Sequence, residues 1–305
     1  MTPLRDAVGD YLTLRRSLGY RLYRHELLLG DFVAFMEDAG ADRVTSELAV
    51  RWARLPQDAN PHWWTRRLGV VRGFARYLAT IDPRTEVPPT DLLPARAQRL
   101  APYIYSPEEI RALMNAAGTL QPEVRGATHR TLIGLLATTG LRLGEALGLD
   151  RQDLDDGVLR VCGKAGKQRE VPLHASTTRA LEDYAHLRDR HWPQPNSPAF
   201  FLGTAGERLS KWAVHRAFTQ LIRQVGLEGR GQRARPRPHD FRHAYAVATL
   251  LDWFRDAEDV DAKLPLLSTM LGHAKPEHTY WYLQAVPELT ELVAARLDGL
   301  LGAWS

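Results

Sequence analysis

Leu4, Val8, Tyr11, Leu12, Leu14 and Leu18 recur at helical spacing, with Arg5, Arg15 and Arg16 between them, which predicts a helix ending at Gly19. A second apolar series, Leu27, Leu28, Phe32, Phe35 and Met36, predicts a helix that stops near Gly40. Thr45 or Ser46 offers a cap for a third, Glu47 to Arg54. The fourth starts after Asn60-Pro61 and carries Trp63, Trp64, Val70, Val71, Phe74 and Tyr77. Its other faces hold Arg66, Arg67, Arg72 and Arg76, positions that suit either a solvated face or contact with phosphates.

The pattern then breaks. Asp82-Pro83, Pro88-Pro89, Pro94 and Pro102 punctuate a stretch with few apolar anchors, as a linker does, and Arg96 and Arg99 within it are free to track a polyanion. Ser106-Pro107-Glu108-Glu109 reads as a capping box that opens a second domain. The predicted organisation is a helical domain at 1–92, a proline-rich linker at 93–105 and a second domain at 106–305. An apolar helical run covers 127–148 and is broken at Gly140. Two short strands follow, Val158 to Cys162 and Glu170 to Leu173, joined by Gly163-Lys164-Ala165-Gly166-Lys167-Gln168. Helices are predicted at 176–191 and 210–226. An arginine-rich loop, which includes Arg235 and Arg237, leads into Pro238-His239-Asp240-Phe241-Arg242-His243. After Pro287, the residues Leu289, Leu292, Val293, Leu297, Leu300 and Leu301 form one apolar stripe that must be covered by its own domain or by a neighbouring protomer.

Composition narrows the class. The 305 residues are 44% hydrophobic and 25% charged, ordinary for a globular chain, and the net charge of +4 favours a polyanionic partner. Cys162 is the single cysteine, so an intramolecular disulfide and a cysteine-rich zinc site are excluded. The N-terminal segment has scattered charges and no long apolar core, unlike a signal peptide or a membrane span. The single cysteine fits a reducing cytoplasm.

The candidate chemistry centres on Leu271-Gly272-His273 and the Tyr280-Trp281-Tyr282 triplet. A tyrosine phenol is a possible covalent nucleophile, but with an ordinary pKa of about 10 it attacks poorly at neutral pH without help. Attack on a phosphodiester also requires cations around the non-bridging oxygens. Arg142, in Thr139-Gly140-Leu141-Arg142-Leu143-Gly144-Glu145, stands at a predicted helix start, where it serves either as part of an anion site or as a surface arginine paired with Glu145. Lys164 is the first lysine in the chain, every earlier Lys/Arg position being arginine. Lysine at a glycine-flanked tip can surrender a proton, which arginine hardly can. His239 and Arg242, three apart, share a helical face. His239 and His243, four apart, also match a metal-pair spacing, but no third ligand is evident and Arg242 beside them would repel a dication.

Together these segments resemble the tyrosine recombinase (phage integrase) family across about 106–290, with the N-terminal helices similar to that family's core-binding domain. The resemblance implies a mostly α fold in two domains, the second a mixed α/β catalytic domain with a small antiparallel sheet. It implies a catalytic set of Arg142, Lys164 rather than Lys167, His239, Arg242, His273 and Tyr282, which lies nine residues past His273 and is thereby preferred to Tyr280. Glu145 is implied to support Arg142. The implied reaction is attack of Tyr282 on a DNA phosphate held by Arg142, Arg242 and His273, giving a 3′-phosphotyrosyl link. Lys164 would protonate the departing 5′-oxygen and His239 would handle the nucleophile's proton. Strand exchange by this route needs no ATP, metal or other cofactor. The implied partners are double-stranded DNA, held as a homo-tetramer on two sites, and accessory proteins are compatible with it. The location that goes with the resemblance is cytoplasmic, nucleoid-associated and of bacterial type. Lower-order DNA contacts are expected at Arg66, Arg67, Arg72, Arg76, Arg96, Arg99, Lys167, Arg235 and Arg237. A type IB topoisomerase or a catalytically silent DNA-binding relative would share much of this sequence. The acidic stretch from Asp252 to Asp261, between Arg242 and His273, is longer than expected of the simplest members.

Overall fold

A computed structural model of the chain describes residues 3–93, 102–163, 166–229, 235–256, 258–273, 279, 280 and 282. Lys164, Arg96, Arg99 and the apolar stripe after Pro287 lie outside the described residues. The chain forms two compact units, residues 1–99 and 100–305.

The described part of the first unit is helical: α1 (Pro3–Ser17), α2 (Tyr23–Asp38), α3 (Ser46–Ala53) and α4 (Pro61–Leu78). Their ends follow local chemistry. Thr45, not Ser46, caps α3 by accepting from Leu48 N at 3.2 Å, and Asn60 caps α4 ahead of Pro61 by accepting from His62 N at 2.9 Å. Leu29, Phe32, Met36, Trp52, Leu68 and Phe74 close the core. Leu14, Leu18 and Leu27 were expected on buried stripes but are exposed. Successive helical residues rotate by about 100°. Leu14 is therefore turned away from Leu12, as Leu27 is from Leu29, and Leu18 lies past the last turn of α1.

The second unit begins with α5 (Pro107–Gly118), whose Ser106–Glu109 capping box is formed in both directions. Tyr103 and Tyr105, assigned from sequence to the linker, are buried in this unit's core, and Tyr105 stacks on Phe241 with ring centroids 4.5 Å apart. α6 (Glu123–Thr139) and the short α7 (Leu143–Gly148) follow, then a three-stranded antiparallel sheet, β1 (Leu154–Asp155), β2 (Val158–Cys162) and β3 (Gln168–Pro172), in sequential order. β3 starts two residues earlier than its apolar pattern suggested, because its ladder with β2 continues to the Cys162–Gln168 pair at the hairpin tip. Four helices complete the described unit: α8 (Ala175–His191), α9 (Lys211–Val225), α10 (Asp240–Arg255) and α11 (Val260–Leu271). The fold is thus a helical N-terminal region followed by a mixed α/β domain with a small antiparallel sheet.

The acidic stretch has a local explanation. It covers the end of α10 and the start of α11, where Asp259 caps α11 by accepting from Ala262 N at 3.1 Å. No helix among the described residues is long and apolar enough to cross a membrane.

Candidate active site

Two left-handed glycines set the frame of the site. Gly140 ends α6 at φ +62°, and a Cβ there would lie 2.6 Å from the Tyr245 ring and 2.8 Å from Leu271. Gly272 ends α11 at φ +63°, and a Cβ there would lie 2.8 Å from the Arg169 guanidinium. Only glycine combines this backbone conformation with such close approach. The two helix ends are therefore held together, and their carbonyls become the anchors of Arg242 and Arg142.

Arg242, on the first turn of α10, is 2% exposed. It donates to Gly140 O at 2.9 Å and to Leu271 O at 2.5 Å. Burial, and then the nearby charge of Arg142, lower its pKa to about 10, so it remains a cation at neutral pH. Arg142 donates to Gly272 O at 2.9 Å and to Glu145 Oε1 at 2.7 Å, and its side chain is 38% exposed. Glu145 also accepts from Arg142 N at 3.0 Å. The two readings of Arg142 are therefore compatible: it is paired with Glu145 and still presents its guanidinium beside Arg242. The six residues of α7 make a short dipole, so the side-chain cations dominate the local field.

Sequence reading missed Arg169. Projecting from β3, it donates to both oxygens of Glu145, at 3.2 and 2.9 Å, and to Met270 O at 3.1 Å. It thus joins the sheet, the Arg142 turn and the Gly272 turn through one side chain. Burial alone would raise the Glu145 pKa, but its hydrogen bonds from Arg169 and Arg142 outweigh burial and hold it below the ordinary value. The Arg-x-Val-Pro order after the hairpin was visible, but nothing in one dimension joined it to Glu145.

The triplet's two tyrosines differ sharply: Tyr282 is 2% exposed and Tyr280 is 46% exposed. The Tyr282 ring packs among Val247, Leu250, Leu264 and Leu267 on α10 and α11, and its hydroxyl lies 3.0 Å from His243 Nδ1. Burial raises the phenol's pKa, while the charge and hydrogen bond of Arg242 and the charge of Arg142 oppose that shift. His273 follows Gly272, with Nδ1 2.8 Å from Thr279 Oγ1, and its ring lies nearly parallel to that of Tyr282, centroids 6.5 Å apart. His239 is the α10 N-cap residue and meets His243 edge to face at 5.1 Å. Partial desolvation and then Arg242 lower its pKa. The sequence reading gave the nucleophile's proton to His239, but the imidazole against the phenol is that of His243.

The expected outer contacts separate. Arg66, Arg76, Lys167 and Arg235 are exposed. Arg237 is also exposed and pairs with Asp240 at 3.2 Å. Arg72 is engaged by the Pro88 and Pro89 carbonyls at 2.7 and 2.6 Å. Arg67 is a correction: it is 6% exposed, lies 3.8 Å from the Trp52 ring centre, and bonds Asp31 and Trp52 O. It faces the helical core of the first unit rather than an outer phosphate. A cavity of about 490 Å³ in the second unit, lined in part by His129, Trp192, Glu207 and Trp212, contains none of the candidate catalytic residues.

The phage integrase family model matches residues 104–288, more than half of the chain. A putative integrase/recombinase, y4rB, of Sinorhizobium fredii strain NBRC 101917 / NGR234 is 44% identical over 307 aligned positions, covering 98% of each chain. The chain belongs to the phage integrase family. Its similarity to another member, the tyrosine recombinase XerC of Azotobacter vinelandii strain DJ / ATCC BAA-1303, is 31% identity over 91% of this chain and 89% of that one. A solved lambda integrase dimer bound to a COC′ core site shares the fold, with TM-score 0.68, 17% identity, and coverage of 92% of this chain and 95% of that chain. In this phage integrase chain, Arg142 and Arg242 donate to carbonyls at the two glycine-terminated helix ends, and the buried Tyr282 phenol lies within their field.

Proposed function

We propose that the chain is a site-specific DNA recombinase that cleaves and rejoins DNA strands through a 3′-phosphotyrosyl intermediate, in the integration, excision or transposition of a mobile element. The observation that carries this reading is the placement of the buried Tyr282 hydroxyl in the field of Arg242 and Arg142. The names of the relatives, integrase/recombinase and tyrosine recombinase, support the same reading. So does the likeness to a lambda integrase solved as a dimer on its core-site DNA.

In this mechanism Arg142 and Arg242 bind the non-bridging oxygens of one phosphate, and the arginine fork suits that geometry. Their backbone anchors fix the guanidiniums before substrate arrives, so little reorganisation is needed as charge shifts during attack. His273, oriented by Thr279, donates to the same phosphate. The Tyr282 oxygen forms a bond to phosphorus as the bond to the 5′-oxygen breaks, and Lys164 protonates that oxygen. The new ester retains the energy of the old one, so a 5′-hydroxyl from a second strand can reverse the step. Double-stranded DNA and three further copies of the chain are the partners this scheme requires, with cleavage at two sites.

The test is adduct formation on a nicked suicide substrate. The parent chain is expected to form a covalent complex, Tyr282→Phe to form none, and Tyr280→Phe to retain it. An adduct formed by Tyr282→Phe would assign the chemistry to another residue. Supercoiled and two-site plasmids complete the test: relaxation without exchange would make the chain a topoisomerase, and binding without an adduct a silent relative.

A further inference from the structure

The nucleophile needs a group to receive its proton, and the histidine assigned to that task from sequence, His239, is not the one in hydrogen-bond contact. His243 Nδ1 is 3.0 Å from the Tyr282 oxygen, within the reach required of a general base. His243 lies one turn along α10 from His239 and directly follows Arg242, so the helix that holds a phosphate-binding cation also presents an imidazole to the phenol. Building on the recombinase reading, we propose that His243 is a catalytic residue that accepts the Tyr282 proton during strand cleavage and returns it during rejoining.

The surroundings keep His243 ready for that role. Burial, followed by His239, Arg242, Arg237 and His273, lowers its pKa to about 3, so the imidazole is neutral at physiological pH and Nδ1 can accept. Such a base is too weak to deprotonate the phenol in the absence of DNA, and Tyr282 remains protonated. A bound phosphate changes both partners. Its negative charge offsets Arg242, one of the charges that add to burial in lowering the His243 pKa. As the O–P bond forms, the phenolic proton also becomes acidic. Proton transfer to Nδ1 then accompanies bond formation. His243 becomes an imidazolium, the phenolic oxygen is esterified to phosphorus, and the departing 5′-oxygen takes a proton from the acid on its own side. Rejoining reverses each movement, with His243 protonating the tyrosine oxygen as it leaves.

The experiment measures single-turnover adduct formation on the suicide substrate with the full chain. His243→Ala is expected to slow cleavage by about a hundredfold or more. His243→Asn retains an acceptor near the Nδ1 position but cannot take up the proton, and its thermal unfolding is measured alongside to establish that it folds. Replacing Tyr282 with difluorotyrosine, a more acidic phenol, provides a readout that a purely structural role would not move. The His243→Asn defect is expected to shrink at least tenfold with the acidic nucleophile. An equal defect with both nucleophiles would overturn proton transfer, as would parental cleavage by His243→Ala. A shrinking defect in His239→Asn, with none in His243→Asn, would return the role to His239. No adduct from the parent chain would remove the recombinase reading itself, and this inference with it.

Discussion

Arg67 in the first unit and Arg242 in the second are both almost wholly buried, at 6% and 2% exposure, yet their surroundings differ in one decisive respect. Arg67 has a carboxylate partner, Asp31, at 3.2 Å, and the face of Trp52 as a second charge-stabilising contact. Arg242 is held by two backbone carbonyls, and among the described residues no carboxylate bonds to it. Arg142 stands near enough to lower its pKa further. A buried cation without an anion is costly, and an oxyanion entering beside it recovers part of that cost. The first arginine is therefore complete within its fold, whereas the proposed function assigns a phosphate to the second.

Three substitutions test this contrast, in order of expected effect. Arg242→Lys keeps the charge but loses the fork that spans both carbonyls and the phosphate, so adduct formation is expected to fall about a thousandfold. The rate on the suicide substrate checks it, and a loss under tenfold would show that charge alone suffices. Arg169→Ala acts one step away and is expected to slow cleavage about a hundredfold by loosening the Arg142 turn. This second variant carries a pH signature. Without Arg169, burial is less opposed and the Glu145 carboxyl rises from its depressed value. As pH falls through the raised pKa, Glu145 becomes neutral and releases Arg142. The variant's rate should therefore drop with acidification over a range in which the parent, whose carboxyl stays ionised, is flat. Parallel pH–rate profiles would contradict this role of Arg169. Arg67→Met has the smallest catalytic effect: about 2 kcal/mol of stability lost from the first unit, and cleavage within twofold of the parent. Thermal unfolding and the adduct rate measure the two. A DNA-binding salt slope reduced by about one unit in Arg67→Met would identify it as a phosphate contact after all.

The same contrast explains what could be read in one dimension. The capping box at Ser106, the breaks at Gly19, Gly40 and Gly140, and the cap at Thr45 are set within a few residues and were legible. The nine-residue interval favoured Tyr282 over Tyr280, and only the fold buries the first and exposes the second. Arg67 was misassigned because a basic residue beside an apolar stripe has the same pattern whether its guanidinium faces solvent or curls over a tryptophan. Leu14 and Leu27 were misplaced because apolar identity was weighed above helical angle, and Leu18 because α1 ends one residue before it. Tyr103 and Tyr105 looked like linker because prolines surround them, although Phe241, more than a hundred residues later, covers Tyr105.

By itself the sequence determined the elements, their order and the kinds of side chain available for attack on phosphate, since helix periodicity, capping and turn formation are short-range. The tertiary structure decided which of those side chains meet. The Gly140 and Gly272 carbonyls, 132 positions apart, each receive an arginine from a distant segment. Arg169 reaches from β3 to Glu145 on α7, and His243 rather than His239 reaches Tyr282. These pairings depend on how two helix ends pack, and packing is fixed by contacts between residues whose separation in the chain carries no information about their separation in space.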